Sequence, residues 1–373
     1  KQKVSMHMPA HKGKFPALGG IQNFDITEIP DTGSLFDGEG ATALAEAQAQ
    51  KLFGSAATFM SAGGCTLCVQ AMFRAAAPHG GKVVCGRVVH RSAINVMSLL
   101  GIEPVWVLPD PSAGELFSGR ITAEGVHRAL EKTPEAKAVY ITSPDYFGVI
   151  SDVKSIAAVA REFGVPLLVD CAHGAHLKFL EKDISPLNLG ATMSAESAHK
   201  TLPVLTGGAW LQIGDESFVP EIRRAMALFG STSPSYPIMI SLDLARDWLE
   251  SNAGEFIRLS RRVKKTKELC RLLGLILPEG ECDPTRIAFD VQNFGFDGAD
   301  VGELLRAHGI EPEYAGLGKI ILIPSVMNTE EDFERLDSAL ADIFSKAVPC
   351  GKSPIGVNAF LPRISMTPRE ALL

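Results

Sequence analysis

An α/β fold, with a seven-stranded, mostly parallel sheet in a large N-terminal part and a small C-terminal α/β unit behind it, is what this 373-residue sequence predicts. Helical and strand periods alternate from about residue 39 to 214, the pattern of parallel strands joined by crossover helices. The run Val165-Pro166-Leu167-Leu168-Val169 is apolar throughout and closes on Asp170, as a strand buried on both faces does at its carboxyl end. With 46% hydrophobic and 21% charged residues, the chain can bury a large core and a second, smaller one.

Residues 1–38 read as an N-terminal arm, and 39–235 as the large part. Short apolar runs predict strands over 57–60, 82–86, 104–108, 138–142, 166–170, 192–195 and 208–213. Longer stretches of helical period predict helices over 41–53, 65–77, 92–100, 123–132 and 153–163. A long helical stretch over 237–273, rich in Leu, Arg and Lys, makes 236–275 a linking region. Strands over 286–291 and 319–323, with helices over 299–308 and 330–344, then build a small α/β unit over 276–347. The segment 348–373 is interrupted by Pro and Gly and reads as an irregular tail. No internal repeat or low-complexity tract is evident.

Net charge of −7 and a pI near 5.8 argue against a nucleic-acid binder, which would carry a basic stripe. Seven cysteines, an odd number and several of them within apolar runs, suit reduced thiols in a cytoplasmic protein. Cys65 and Cys68 form a Cys-x-x-Cys without a second pair at zinc spacing, so no metal site is expected. The apolar runs fall short of the ~20 residues of a membrane span, and no signal peptide is visible.

The chemistry centres on Lys200, within Ser197-Ala198-His199-Lys200-Thr201-Leu202-Pro203, and on Asp170. An amine that can hold an aldehyde as a Schiff base, and an anion that can keep a pyridine nitrogen protonated, are the two groups a pyridoxal phosphate enzyme requires. A solvated lysine and a helix-capping aspartate are the bland alternatives. The turn Ala62-Gly63-Gly64-Cys65-Thr66, between a strand and a helix, offers backbone amides and a hydroxyl to a phosphate.

Eight stretches together resemble the Orn/Lys/Arg decarboxylase major domain, a branch of the fold type I, aspartate aminotransferase superfamily. They are Pro9-Ala10-His11-Lys12-Gly13, Asp25-Ile26-Thr27-Glu28-Ile29-Pro30, His90-Arg91-Ser92-Ala93-Ile94-Asn95, Thr142-Ser143-Pro144-Asp145-Tyr146-Phe147-Gly148, Asp170-Cys171-Ala172-His173-Gly174-Ala175-His176, Ser197 to Pro203, Ser231-Thr232-Ser233-Pro234-Ser235-Tyr236 and Met366-Thr367-Pro368-Arg369-Glu370-Ala371. The resemblance implies pyridoxal 5'-phosphate as cofactor and a fold type I architecture. It implies that His90 stacks on the cofactor ring, with Ala172 on the opposite face and His173 reaching the phenolic oxygen. Ser197 and His199 would help to bind phosphate, and Thr232 with its serine neighbours would reach the site of a second subunit, making a homodimer with composite sites.

The implied reaction is decarboxylation of a basic amino acid, arginine, lysine or ornithine. Another reaction of the superfamily (transamination or Cα–Cβ cleavage) and a non-enzymatic relative are the alternatives. Glu28, Asp31, Asp37, Glu39 and Glu313 are the acids available to a distal cationic group. The chain departs from the family pattern in four places. Ser61-Ala62-Gly63-Gly64 stands where Asn-Gly-Ser/Thr-Ser/Thr is usual, and Cys171 replaces a Glu. Pro312-Glu313-Tyr314-Ala315-Gly316 replaces Pro-Glu-Leu-Ala-Asp, and the further domain with a Tyr-Pro-Pro-Gly-Ile-Pro stretch has no counterpart here.

Overall fold

The computed structural model describes residues 4–6, 35–110, 112, 116–348, 350 and 365–373. Strand β1 (Val4–Met6) and helix α1 (Gly40–Phe53) precede the alternation β2 (Ala57–Ser61), α2 (Gly64–Ala76), β3 (Gly81–Gly86), α3 (Arg91–Leu100), β4 (Ile102–Val107), α4 (Ala123–Glu131), β5 (Val139–Thr142), α5 (Val153–Glu162), β6 (Leu167–Asp170) and β7 (Met193–Glu196). A one-turn helix α6 (Ala198–Thr201) leads to β8 (Ala209–Ile213), and helices α7 (Val219–Phe229), α8 (Tyr236–Asn252) and α9 (Gly254–Leu272) follow. Then come β9 (Ile287–Asp290), α10 (Gly298–Ala307), β10 (Ile310–Pro312), β11 (Tyr314–Gly316), β12 (Lys319–Leu322), α11 (Glu330–Phe344) and α12 (Pro368–Leu372).

The seven strands β2 to β8 form one sheet in the order β2-β8-β7-β6-β5-β3-β4, and only β8 runs antiparallel to its neighbours. One face packs under α2, α3 and α7 through Met72, Phe73, Met97 and Ile222, and the other under α4 and α5 through Val126, Leu130 and Ile156. Burial on both faces is why β6 reads Leu167-Leu168-Val169 without alternation. In register, Thr142 lies opposite Asp170 and Asp170 opposite Ala195, so β5, β6 and β7 end side by side on one edge. Ligands of open α/β sheets lie beyond such carboxyl ends.

A second, three-stranded antiparallel sheet, β11-β12-β9, carries α10 and α11. Its apolar side is continuous with α1, α8 and α9 through Leu249, Phe256, Val263, Phe289 and Phe344, so one core joins it to the back of the large sheet.

The structure differs from the sequence expectation in five places. The single helix over 237–273 is two, broken at Ala253 between α8 and α9. Helix α7 was not anticipated, although Pro220 in its first turn is a helix-start signal. Strands β10 and β11 were missed because each spans three residues, too few to show a period. The same holds for β1, which pairs in parallel with β10. Finally, the expected irregular tail contains α12, opened by a Thr367–Glu370 capping box and docked on α3, where Ser98 Oγ donates to the Pro368 carbonyl at 3.0 Å. Apart from 4–6 and 35–38, the N-terminal arm with its two resembling stretches, Glu28 and Asp31 lies outside the described residues.

Candidate active site

Beyond the ends of β5, β6 and β7 opens a cavity of about 600 Å³. Gly64, Cys65, Thr66, His90, Asp170, Ala172, His173, Ser197, His199 and Lys200 line it, together with Val88, Val89, Ser92, Thr142, Tyr146 and Glu313. Those first ten positions and Glu313, all singled out in the sequence, therefore meet in one space. Ala62, Gly63 and Thr232 do not. Ala62 and Gly63 face a neighbouring recess bounded by Phe229, Ser231, Ser233 and Pro234, which shares Thr66 with the first. The Gly63 amide is taken by Ser61 Oγ at 3.1 Å and the Gly64 amide by the Gly207 carbonyl at 2.8 Å. The amides left without an intrahelical acceptor at the start of α2 are those of Cys65 and Thr66, one step further along than the sequence suggested.

Asp170 is 2% exposed at the tip of β6. Tyr140 Oη donates to its Oδ2 at 3.0 Å and the Ala172 amide to its Oδ1 at 3.1 Å, so the carboxylate is oriented from both sides. Burial and then the Asp170 charge push the Tyr140 phenol well above its ordinary range, so it remains a donor. Position 174 has to be glycine: an added Cβ would lie 2.5–2.8 Å from Cys171 Sγ, Leu177 and Pro144. That close approach folds the loop back so that Ala172 and His173 reach the cavity.

Lys200 sits on α6, the single turn that follows β7, and its Nζ lies 3.0 Å from His173 Nε2. Burial lowers the Lys200 ammonium below its ordinary range. Burial, reinforced by the Lys200 and Arg286 charges, holds His173 well below its own. Arg286 Nη2, arriving from the segment before β9, lies 3.1 Å from His173 Nδ1. His199 donates its Nδ1–H to the Gly208 carbonyl at 2.9 Å. His90 is the N-cap of α3, its Nδ1 accepting from the Ser92 amide at 3.2 Å, and it also lines the cavity. Capping and site lining thus coexist in one residue.

Cys65 and Cys68 are buried free thiols, and burial followed by Cys68 raises Cys65 well above the ordinary thiol range. Among the described residues, no three His, Cys, Asp or Glu side chains are grouped to hold a metal ion. Also among them, no helix is long and apolar enough to cross a membrane.

Four participants carried no assigned role in the sequence reading. Tyr140 and Arg286 are buried, Thr142 Oγ1 is buried in the cavity wall without a hydrogen-bond partner, and Tyr146 Oη donates to Glu313 Oε1 at 3.1 Å. Tyr146 and Thr142 stand inside a stretch noted only for its resemblance. Of the acids set against a distal cation, Glu313 reaches the cavity, whereas Asp37 and Glu39 are exposed elsewhere.

Residues 19–273 match the family Orn/Lys/Arg decarboxylase, major domain. The arginine decarboxylase of Halalkalibacterium halodurans is 31% identical over 99% of this chain and 80% of its own length, and that of Bacillus subtilis 30% identical over 100% and 81%. Among solved structures, the lysine decarboxylase LdcF of Francisella novicida superposes with a TM-score of 0.76 at 20% identity, over 89% of this chain and 55% of that one. The serine palmitoyltransferase of Sphingomonas wittichii gives 0.73 at 15% identity, over 93% and 89%. The architecture is that of fold type I, and by its sequence the chain belongs to the Orn/Lys/Arg decarboxylase major-domain family.

Proposed function

We propose that this protein decarboxylates a basic amino acid, with arginine as the favoured substrate, using pyridoxal 5'-phosphate held by Lys200. The observation that carries the reading is the meeting of a desolvated amine, Lys200, and a buried, doubly oriented carboxylate, Asp170, in one cavity beyond the sheet. The cavity fits the cofactor. Thr142 Oγ1 is an orphaned buried hydroxyl facing it, the α2 N-terminus presents the Cys65 and Thr66 amides, and Asp170 supplies an anion at its floor. Lys200 would hold the aldehyde carbon and Asp170 the ring nitrogen. His90 and Ala172 would flank the ring, with Thr66, Ser197 and His199 around the phosphate. Bound there, pyridoxal phosphate supplies an electron sink for the pair left on the substrate α-carbon.

The protein's own contribution is orientation, dryness and protons. A carboxylate in a poorly solvated pocket loses carbon dioxide more readily than a hydrated one, and Val88, Val89 and Ala172 make part of this wall apolar. Net, the bond from the α-carbon to the carboxylate breaks, carbon dioxide leaves, and a proton from the cavity takes its place. Glu313, held by Tyr146, is the acid placed to take the distal cation. The preference for arginine rests on the two relatives matched over nearly the whole chain.

The same reading keeps the chain divisions 1–38, 39–235, 236–275, 276–347 and 348–373, and a homodimer with composite sites. Its support is the exposed Ser231, Thr232 and Ser233, beside a recess that adjoins the cavity at Thr66. The experiment is product analysis with carboxyl-labelled arginine, lysine and ornithine. Labelled carbon dioxide with the matching amine is expected; a keto acid, or no product from any of the three, overturns the reading.

A further inference from the structure

We infer that Arg286 is a positioning residue that fixes the tautomer of His173 and so keeps Lys200 Nζ a neutral, hydrogen-bond-accepting amine. The inference rests on the proposed role of Lys200, but its argument runs on donors and acceptors alone. A guanidinium has five N–H donors, no acceptor, and does not lose its proton in proteins. Arg286 Nη2 lies 3.1 Å from His173 Nδ1, so Nδ1 must accept. A neutral imidazole whose Nδ1 accepts carries its hydrogen on Nε2. His173 Nε2 lies 3.0 Å from Lys200 Nζ, so that hydrogen points at the amine, and only an unprotonated amine has a lone pair to receive it. The opposite assignment, an ammonium donating to a bare Nε2, would place Nδ1–H against the guanidinium, donor against donor.

The surroundings agree. His173 is 8% and Arg286 2% exposed, so neither can exchange its partner for water at little cost. Arg286 and His199 face His173 from the β9 and α6 sides, and His90 from the cap of α3. Facing Lys200 are Cys65, Asp170, Arg286 and Glu313, with burial the dominant influence on both groups. Arg286 reaches this place because residue 148 is glycine: at φ +86°, an added Cβ would lie 2.8 Å from Arg286 Cβ and Cγ. The Arg286 amide donates to the Asp283 carbonyl at 3.3 Å, closing a backbone turn just before β9. An element 113 residues away in sequence from His173 thereby sets the state of the nucleophile. The neutral amine is the nucleophilic form.

The test uses the full chain freed of cofactor, with 15N-labelled histidine and the His173 signals assigned through His173→Gln. In the unsubstituted protein, Nδ1 should behave as an acceptor and Nε2 as the protonated nitrogen from mildly acidic to alkaline pH. Two variants separate tautomer from charge. Arg286→Gln keeps an N–H donor without charge and should retain the Nε2–H tautomer. Arg286→Met, with no donor, should release it. In Arg286→Met, acylation of Lys200, read by peptide mass spectrometry against pH, should fall about tenfold near neutrality, one pKa step. Nδ1–H in the unsubstituted protein, or identical tautomers in the Gln and Met variants, overturns the inference. If Arg286→Met does not fold, the unsubstituted and Gln spectra still decide. Cofactor absorbance retained by Lys200→Ala would instead sink the role of Lys200 while leaving the tautomer result intact.

Discussion

His173 and His176 stand three residues apart in the loop after β6, both buried, in opposite electrostatic company. The Nε2 of His176 faces Asp283 Oδ1 at 3.0 Å and Thr285 Oγ1 at 2.9 Å, with the Phe256 ring stacked on it, in a closed space of 1% exposure. Burial alone would raise the Asp283 carboxyl, but His176, Arg286 and the Thr285 amide more than offset it and hold it well below the ordinary range. His173 faces two basic side chains, the Lys200 amine and the Arg286 guanidinium, and opens on the cavity. The chemistry of the partner, an acid beside His176 and basic groups beside His173, separates a histidine that braces the fold from one that tunes an amine.

The largest effect belongs to the open cluster. Lys200→Ala should lower carbon dioxide release on the order of 10⁴-fold or more and remove the visible absorbance of bound cofactor, with thermal stability nearly unchanged. An unchanged spectrum would take Lys200 out of the site. Asp170→Asn should keep cofactor bound but cost roughly 10²–10³ in turnover, because Tyr140 and the Ala172 amide would hold a group without charge. Turnover near that of the unsubstituted enzyme would leave Asp170 as a structural cap.

The closed cluster should respond in stability instead. Asp283→Ala strands His176 and the Thr285 amide, at a cost of about 3 kcal/mol in urea unfolding. Loss of activity without loss of stability would erase the contrast. The smallest effect is in pH. The Asp283 carboxyl is lower in the folded protein than its ordinary value of 3.8, so its stabilisation is complete above that value and disappears as pH falls through the depressed one. In Asp283→Asn, unfolding free energy should therefore fall less steeply below pH 3.8 than in the unsubstituted protein, as acid titration of the circular dichroism would show.

The large sheet was legible in the sequence because burial on both faces leaves an unbroken apolar run, and crossover helices leave a longer period between such runs. Asp170 was legible because it closes such a run at the end of β6, and Lys200 because of its Ser-x-His-Lys setting and the resemblance of the sequence around it. The break at Ala253 was not, because both sides of it keep a helical period. Gly63 was misjudged as a phosphate donor because its amide turns inward to Ser61 Oγ, a matter of one peptide's orientation that residue type does not reveal.

By itself, then, the sequence determined the order along the chain of the strands in the large sheet, the family, the aspartate that closes β6 and the lysine of the Ser-x-His-Lys motif. These depend on hydrogen bonding and burial within about ten neighbouring residues, and on motifs that survive as short words. Only the tertiary structure decided that Arg286 meets His173 across 113 residues, that Tyr146 holds Glu313 across 167, and that Thr142 keeps an unpaired hydroxyl in the cavity wall. Arginine, tyrosine and glutamate serve on most protein surfaces, and nothing local marks these three. Their protonation and partners follow from desolvation and from charges met through space, and those come into being when the small sheet packs against the end of the large one.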